Sequence, residues 1–371
     1  MSETMLDYIK QTSLICKNNI ANRESHVGTL KEEYINNNHH GITIVASGSS
    51  NNGSRLAQYF ISHYLKCQCK ILSPFTFYHH DHQEDDSMVI CISQSGCSTN
   101  TLDCLRLLKE QNRRAIAIVG RDDCSARDIA DEVINWQVGE EKIGFVTKGV
   151  VTLGLFLMLF ALETAKQLNL IDNKQYDLAI EDIQKAVSLQ DEMIATATRF
   201  YQNHKESLLQ SHNIYFLSSG ANLATASEAA LKMAETSCIN GFAIEAEEFL
   251  HGPMYPTSDK SVFFFIDNNE DDSSTRIRDI ADACKTVTKH IYLLGQDNRF
   301  AENDCIAASD CSSYLTSPLY KLIALQVLAY YRTEDSNQYV PHENILKFKK
   351  ENKVASKSRN NLYLNLQEKE R

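Results

Sequence analysis

The chain has 371 residues, 43% of them hydrophobic and 23% charged, which excludes wholesale disorder and predicts two or three domains of roughly 100–200 residues each. Its formal net charge of −11 argues against a nucleic-acid coat or an anionic membrane surface as the main partner. A local pocket for a phosphorylated ligand stays compatible with that charge.

The first part of the chain alternates strand and helix patterns. Residues 1–24 are predicted to be helical and ancillary, without a secretory signal. Three short apolar runs, at 41–46, 87–92 and 115–119, are each followed by a Gly or Ser turn and a helical pattern such as 99–110. Such alternation predicts βαβ units, and continuously apolar strands indicate a parallel sheet covered on both faces.

Two further features concern location. The longest apolar run, Val150–Leu162, is predicted to be too short to cross a bilayer and to form a buried helix, so no membrane partner is expected. The 11 cysteines include no C-x-x-C pair. Together with the absence of a signal, this predicts reduced thiols in a cytoplasmic protein.

The strand series recurs further along the chain, with apolar runs at 213–217, 262–266 and 291–294. Gly48 and Gly220 lie 172 residues apart, Gly120 and Gly295 lie 175 apart, and the strands ending near 92 and 266 lie 174 apart. A nearly constant offset indicates an internal duplication. We therefore predict an N-terminal helical segment (1–24), a first α/β domain (25–165), linker helices (166–210), a second α/β domain (211–335) and a basic C-terminal tail (336–371).

The tail carries eight Lys/Arg and three Glu from Lys347 to Arg371. A basic tail on an acidic protein can bind nucleic acid, but charge runs usually only keep a chain end solvated, and we favour that interpretation. A contribution to an active site is a third alternative.

A hydroxyl-rich loop follows the strand that ends at Ile92. It places four hydroxyls, together with Gln94 and Gly96, at the start of the next helix: Ser93, Ser95, Ser98 and Thr99. A strand–loop–helix junction directs backbone N–H groups and the helix dipole at one point, and hydroxyls add neutral donors. The pattern predicts a phosphate site. The alternative is an ordinary helix N-cap, but a cap requires one hydroxyl, whereas this loop has four.

A second polar loop, Gly48–Ser54, is expected after the preceding strand. It lacks the lysine of a Walker A loop and the spacing of a dinucleotide fingerprint. Polar loops on adjacent strand ends of an open sheet can face one crevice.

The predicted helix 221–238 carries only three charges, Glu228, Lys232 and Glu235. Spacings of i, i+4 and i+7 place them on one stripe of a mostly apolar helix. The stripe can be an exposed salt bridge, or Glu228 or Glu235 can be a general base.

A histidine on a turn follows at His251-Gly252-Pro253, close after Glu248. It suits a proton-transfer group or is a surface turn residue. Neither this segment nor His79–His82 has a recurring ligand spacing. We therefore expect no metal and interpret His79–His82 as a polar loop.

These motifs together resemble the sugar isomerase (SIS) domain family. The Ser93–Gly96 loop, Gly48-Ser49-Ser50, the charged helix stripe and His251-Gly252-Pro253 are similar to the isomerase half of glucosamine-6-phosphate synthase and to the related fructosamine-6-phosphate deglycases. The resemblance covers about 25–345. It implies two tandem SIS domains, each a flavodoxin-like three-layer sandwich with a parallel sheet flanked by helices.

The resemblance also implies roles for individual residues. Those expected to bind the phosphate or sugar are Ser50, Ser93, Gln94, Ser95, Ser98, Val146, Thr147 and Glu228. Glu235 would move a proton between C1 and C2, with Lys232 beside it, and His251 would open the sugar ring from a second subunit. The resemblance thus implies a sugar phosphate as ligand, a homodimer or larger homo-oligomer, and no cofactor.

Departures from the family pattern limit the prediction. Cys97 stands where an acidic residue is usual, and Ser98 replaces the usual Thr, without loss of the phosphate-binding logic. In the family a C-terminal lysine can form a Schiff base with the open-chain ketose. Here that catalytic lysine is matched only loosely, by Lys353 or Lys357. We expect no glutaminase domain before the isomerase half, and therefore no glutamine-dependent synthesis of glucosamine 6-phosphate.

We therefore predict an enzyme that isomerises or deglycates a phosphorylated ketosamine or aminosugar. The alternative is a non-catalytic phosphosugar-binding regulator. Glu235 and His251 favour the enzyme, and the N-terminal segment is too short for the helix-turn-helix that such regulators usually carry. A plain α/β scaffold protein would leave the polar loops unexplained.

Overall fold

The computed structural model describes residues 3–82, 86–268, 272–336, 347 and 356. The chain forms two compact units, one centred on Leu14–Asp177 and the other on Leu178–Val340. The domain boundaries given above stay predictions.

The first unit is built on a five-stranded parallel sheet with the order β2-β1-β3-β4-β5. Its strands are β1 (Gly41–Ala46), β2 (Gln68–Leu72), β3 (Ser87–Ser93), β4 (Ile116–Val119) and β5 (Glu132–Asn135). Seven α-helices precede or alternate with these strands in the chain, ending with α7: α1 (Met5–Ala21), α2 (Arg23–His26), α3 (Gly28–Asn36), α4 (Gly48–Leu65), α5 (Pro74–His80), α6 (Thr99–Glu110) and α7 (Lys148–Gln167).

The second unit repeats this plan with four parallel strands in the order β7-β6-β8-β9. They are β6 (Asn213–Ser218), β7 (Asn240–Glu245), β8 (Val262–Ile266) and β9 (Ile291–Leu294). The remaining helices are α8 (Asn173–Ser188), α9 (Gln190–Gln210), α10 (Asn222–Ser237), α11 (Asp272–Cys284) and α12 (Pro318–Ser336). The four strands are connected in the same order as the first four strands of the first sheet.

The apolar runs form the strands that the sequence predicts. All six residues of β1 and all five of β8 are buried, so both faces of each strand are covered. Burial of this kind explains why these strands are continuously apolar and not alternating. Two parallel sheets flanked by helices confirm the predicted fold class.

The apolar run at 150–162 lies within α7, where the prediction of a buried helix is confirmed. The expectation that the segment is too short to cross a bilayer is wrong, because α7 has 20 residues. Within the described part of the chain, α7 is the one helix that is long and apolar enough to cross a membrane, but its apolar stretch is entirely buried inside the protein. Burial, and not length, is therefore the argument for a core helix.

The register of the first sheet determines where polar loops meet. Ala46 at the end of β1 pairs with Ile92 near the end of β3. The segments that follow these two strands therefore start side by side at the carboxyl edge of the sheet.

Candidate functional site

Three hydroxyls converge after β3. Ser93 Oγ lies 3.0 Å from Ser98 Oγ and 3.4 Å from Ser95 Oγ, and the Cys97 amide donates to Ser95 Oγ at 3.2 Å. Gly96 has φ +60°, a left-handed conformation that favours glycine, and it makes the tight turn. The structure thus brings together three hydroxyls that the sequence predicts as phosphate ligands, directly before the first turn of α6.

The start of α4 lies beside this cluster. Asn100 Nδ2, in the first turn of α6, donates to Ser47 Oγ at 3.1 Å, which links the two strand ends. Ser50 is half-buried in the first turn of α4. The expectation of a loop over Gly48–Ser54 is wrong, because these residues already form the first turns of α4. Two helix N-termini therefore point at this edge of the sheet, and both favour an anion.

The predicted sugar-lining segment leads into α7. Val146 is half-buried and Thr147 is fully buried. The Thr147 hydroxyl donates to the Phe145 carbonyl at 3.2 Å. A sugar contact by Val146 or Thr147 stays a prediction.

Glu141 is a residue that the sequence analysis missed. The residue is 6% exposed. Its carboxylate accepts from Gln94 Nε2 at 2.7 Å and from the backbone amides of Thr147 at 2.7 Å and Lys148 at 3.1 Å. Burial raises the pKa of Glu141, and these hydrogen bonds oppose the rise. The sequence signal was weak, since Glu140-Glu141 reads as an ordinary solvated charge pair.

In the second unit, the charged stripe of α10 forms two ion pairs that share Lys232. Lys232 Nζ lies 3.3 Å from Glu228 Oε1 and 2.6 Å from Glu235 Oε2. The side chains of Glu228 and Lys232 are fully buried, whereas that of Glu235 is 37% exposed. The alternative of an exposed salt-bridge stripe is therefore wrong for two of its three members.

His251 ends a short 3₁₀ helix, Glu248–His251, and is exposed. Gly252 follows with φ +136°, a conformation open to glycine, so the histidine sits on a defined turn as expected. Glu248 is also exposed, and its amide donates to Glu245 Oε2 at 2.9 Å. Lys353 and Lys357 lie outside the described residues.

The histidine tract is partly helical. His79 and His80 lie in the last turn of α5, where the Phe75 ring packs against both, so the expectation of a loop over all of His79–His82 is wrong. Across the described residues, no group of three or more His, Cys, Asp or Glu side chains is arranged to hold a metal ion.

The second unit has a different chemistry at the counterpart of the hydroxyl loop. Val45 pairs with Cys91 in the first sheet and Leu217 pairs with Phe265 in the second, so Ser93 corresponds to Asp267. In the same way, Gln94 corresponds to Asn268. Asn268 is fully buried and donates to Ser219 Oγ at 2.9 Å and to Ser273 Oγ at 3.0 Å. The carboxylate of Asp267 thus replaces the hydroxyl of Ser93, and the amide of Asn268, bonded within its own unit, replaces that of Gln94.

The sequence profile of the SIS domain matches residues 35–162 and again 207–308, so the chain belongs to the SIS domain family. The two matches coincide with the two parallel sheets.

Individual relatives agree with this assignment. The chain is 24% identical over 330 residues to the isomerizing glutamine–fructose-6-phosphate aminotransferase of Thermococcus kodakarensis, covering 88% of this chain and 54% of the relative. It therefore spans about half the length of the curated relatives it matches.

Solved structures share the fold. The C-terminal domain of glucosamine-fructose-6-phosphate aminotransferase from Francisella tularensis superposes with a TM-score of 0.82 at 24% identity, covering 91% of this chain and 97% of that one. A protein of Clostridium difficile 630, whose name proposes a phosphosugar isomerase, gives 0.86 at 22% identity, covering 97% and 100%.

Proposed function

We propose that this protein is a phosphosugar isomerase or deglycase that acts on a phosphorylated ketosamine or aminosugar. The observation that carries the proposal is the convergence of two hydroxyls on Ser93 Oγ just before α6, Ser95 Oγ at 3.4 Å and Ser98 Oγ at 3.0 Å. Similarity to the isomerase domain of an aminotransferase for fructose 6-phosphate supports the same class of substrate.

In this proposal the phosphate is held by neutral donors. The hydroxyls of Ser93, Ser95 and Ser98, together with Ser50 and the amides at the starts of α4 and α6, supply hydrogen bonds to its oxygens. Gln94 shapes the same loop. Binding at helix N-termini needs no buried cation, which agrees with an acidic protein.

The proton transfer is assigned to Glu235. As a general base it takes the proton from one of the two carbons C1 and C2 and returns it to the other, through an enediol or enediolamine. Lys232 neutralises and orients the carboxylate, Glu228 fixes Lys232, and His251 of a second subunit protonates and deprotonates the ring oxygens during opening. Val146 and Thr147 line the sugar, and Lys353 stays a candidate for a Schiff base with the open-chain ketose.

The decisive assay supplies the purified protein with three substrates in separate reactions: fructose 6-phosphate plus ammonia, glucosamine 6-phosphate, and fructoselysine 6-phosphate. Mass spectrometry identifies the products. Turnover of at least one of them supports the enzyme. Binding of these compounds by calorimetry without turnover would favour the phosphosugar-binding regulator, and neither binding nor turnover would contradict both functions.

A further inference from the structure

Gln94 is half-buried, and the amide end of its side chain lies inside the first unit. Its Nε2 donates to Glu141 at 2.7 Å. A Cβ added at Gly149 would lie 2.0 Å from Gln94 Oε1, and one added at Gly120 would lie 2.9 Å from Gln94 Cγ. Glu141, Gly120 and Gly149 therefore line the space that the Gln94 side chain occupies.

The backbone of Gln94 is fixed as well. Its carbonyl accepts from the Gly120 amide at 3.0 Å, and the Gly96 amide donates to the Ser93 carbonyl at 2.9 Å. Because Gln94 lies between Ser93 and Ser95, the contacts that hold its side chain and its carbonyl also help to hold the backbone that carries both hydroxyls.

Glu141 joins this loop to a second segment. One carboxylate oxygen accepts from Gln94, while the other accepts from the amides of Thr147 and Lys148 at the start of α7. The N-terminus of a helix favours a negative charge, so the buried carboxylate has a fixed position. A single side chain therefore sets the distance between the hydroxyl loop and α7.

We propose that Glu141 is a positioning residue, which acts through Gln94 to hold Ser93, Ser95 and Ser98 in the geometry that binds phosphate. The inference rests on the proposed function of this loop. Burial of a carboxylate is unfavourable for stability, and an apolar side chain would fill the same volume without that penalty. A purely structural role would change stability alone, whereas positioning changes affinity for phosphate.

Gly149→Ala is the first test, because alanine suits a helix and its Cβ would meet only the end of a flexible side chain. We expect displacement of Gln94, and a Kd for fructose 6-phosphate and for inorganic phosphate that rises about tenfold, the loss of roughly one good hydrogen bond. KM should rise with Kd, while kcat stays within about threefold. Gly28→Ala is the matched control, since nothing lies within 4 Å of a Cβ there.

Glu141→Leu and Glu141→Gln form the second test. Leucine removes both acceptors and should weaken binding by at least about tenfold, whereas glutamine keeps one acceptor and can donate to a rotated Gln94, which gives an intermediate loss. Glu163→Leu is the matched control, because Glu163 is a buried carboxylate of the same unit that binds Arg23 Nε at 2.9 Å. It should lose stability but not affinity.

The outcomes separate the two claims. If the parent protein binds neither fructose 6-phosphate nor phosphate, the proposed function fails and the inference fails with it. If the parent binds but Gly149→Ala binds equally well, only the inference is overturned. An affinity loss in Glu163→Leu equal to that in Glu141→Leu would also overturn it, because general destabilisation would explain both.

Discussion

Lys232 is a buried ammonium group whose two carboxylate partners differ in exposure. Burial alone would lower the pKa of Lys232, but Glu228 and Glu235 raise it above its ordinary value, so the group stays charged. Glu228 is fully buried and serves to neutralise it, whereas Glu235 is 37% exposed and can meet a substrate. This difference favours Glu235 over Glu228 as the proposed base.

Glu235→Gln tests that assignment. The amide keeps the shape and accepts from Lys232 but cannot take a proton, so we expect kcat to fall about 10²–10⁴-fold with little change in KM. In D₂O, the parent should place deuterium at C1 or C2 of the sugar and the variant should not. Asp282→Asn is the control, because Asp282, in the last turn of α11, also pairs with a lysine three residues later, Lys285, at 2.9 Å. A Glu235→Gln rate above about half that of the parent would make Glu235 structural and Glu228 or Glu248 the candidate base.

Glu141 predicts a pH-dependent difference in stability. Because burial raises its folded-state pKa, the ionised form is disfavoured in the folded protein, and this penalty is relieved as the pH falls through the folded pKa. The free energy of unfolding of the parent, minus that of Glu141→Gln, should therefore increase as the pH is lowered from about 8 to about 5.

Trp136 makes this measurement specific to the first unit. It is the single tryptophan, it is buried, and its Nε1 donates to Thr152 Oγ1 at 3.2 Å. Denaturant unfolding followed by its fluorescence gives the difference at each pH. A difference that does not change with pH would contradict the predicted penalty.

At the scale of elements, apolar character decided which strands the sequence could predict. Six strands were anticipated, whereas β2, β5 and β7 were not, and all three are edge strands of their sheets. These three strands are partly exposed, as the alternating exposure of β2 shows, so they need fewer apolar residues and give a weaker pattern. The fourth edge strand, β9, was predicted because all four of its residues are buried. The hydroxyl loop was predictable because its residues are contiguous in sequence.

Glu141 could not be found in the same way. It lies 47 residues from Gln94 in the chain, and only the folded sheet and the start of α7 bring the two side chains together. A sequence motif consists of residues that are close together in the chain. A contact between residues this far apart has no fixed spacing that a motif could show.

The hydroxyls just before α6 should contribute to binding of a sugar phosphate. Ser95→Ala combined with Ser98→Ala should weaken sugar-phosphate binding by about 2–3 kcal/mol, corresponding to two charge-assisted hydrogen bonds, and should leave the fold intact. Ser73→Ala is a suitable control, because Ser73 caps α5 by accepting from the Thr76 amide at 3.2 Å. Calorimetry that finds unchanged affinity in the double variant would contradict the phosphate assignment.

At the scale of the whole molecule, the exposed turn at His251 is the place to test assembly. If the site takes His251 from a second subunit, then the inactive variants Glu235→Gln and His251→Ala should regain partial activity when they are mixed and refolded together. Each variant refolded alone is the control. An active protein that sediments strictly as a monomer would contradict a shared site.

The duplication has one consequence for stoichiometry. Ser93 in the first unit corresponds to Asp267 in the second, a buried carboxylate that pairs with Arg278 Nε at 3.4 Å. A serine hydroxyl can donate a hydrogen bond to a phosphate oxygen, whereas a carboxylate can only accept one. The chain should therefore bind one equivalent of sugar phosphate and not two, which a calorimetric titration measures directly. Although the two copies share a strand order, a saturation curve should reveal a single class of binding site.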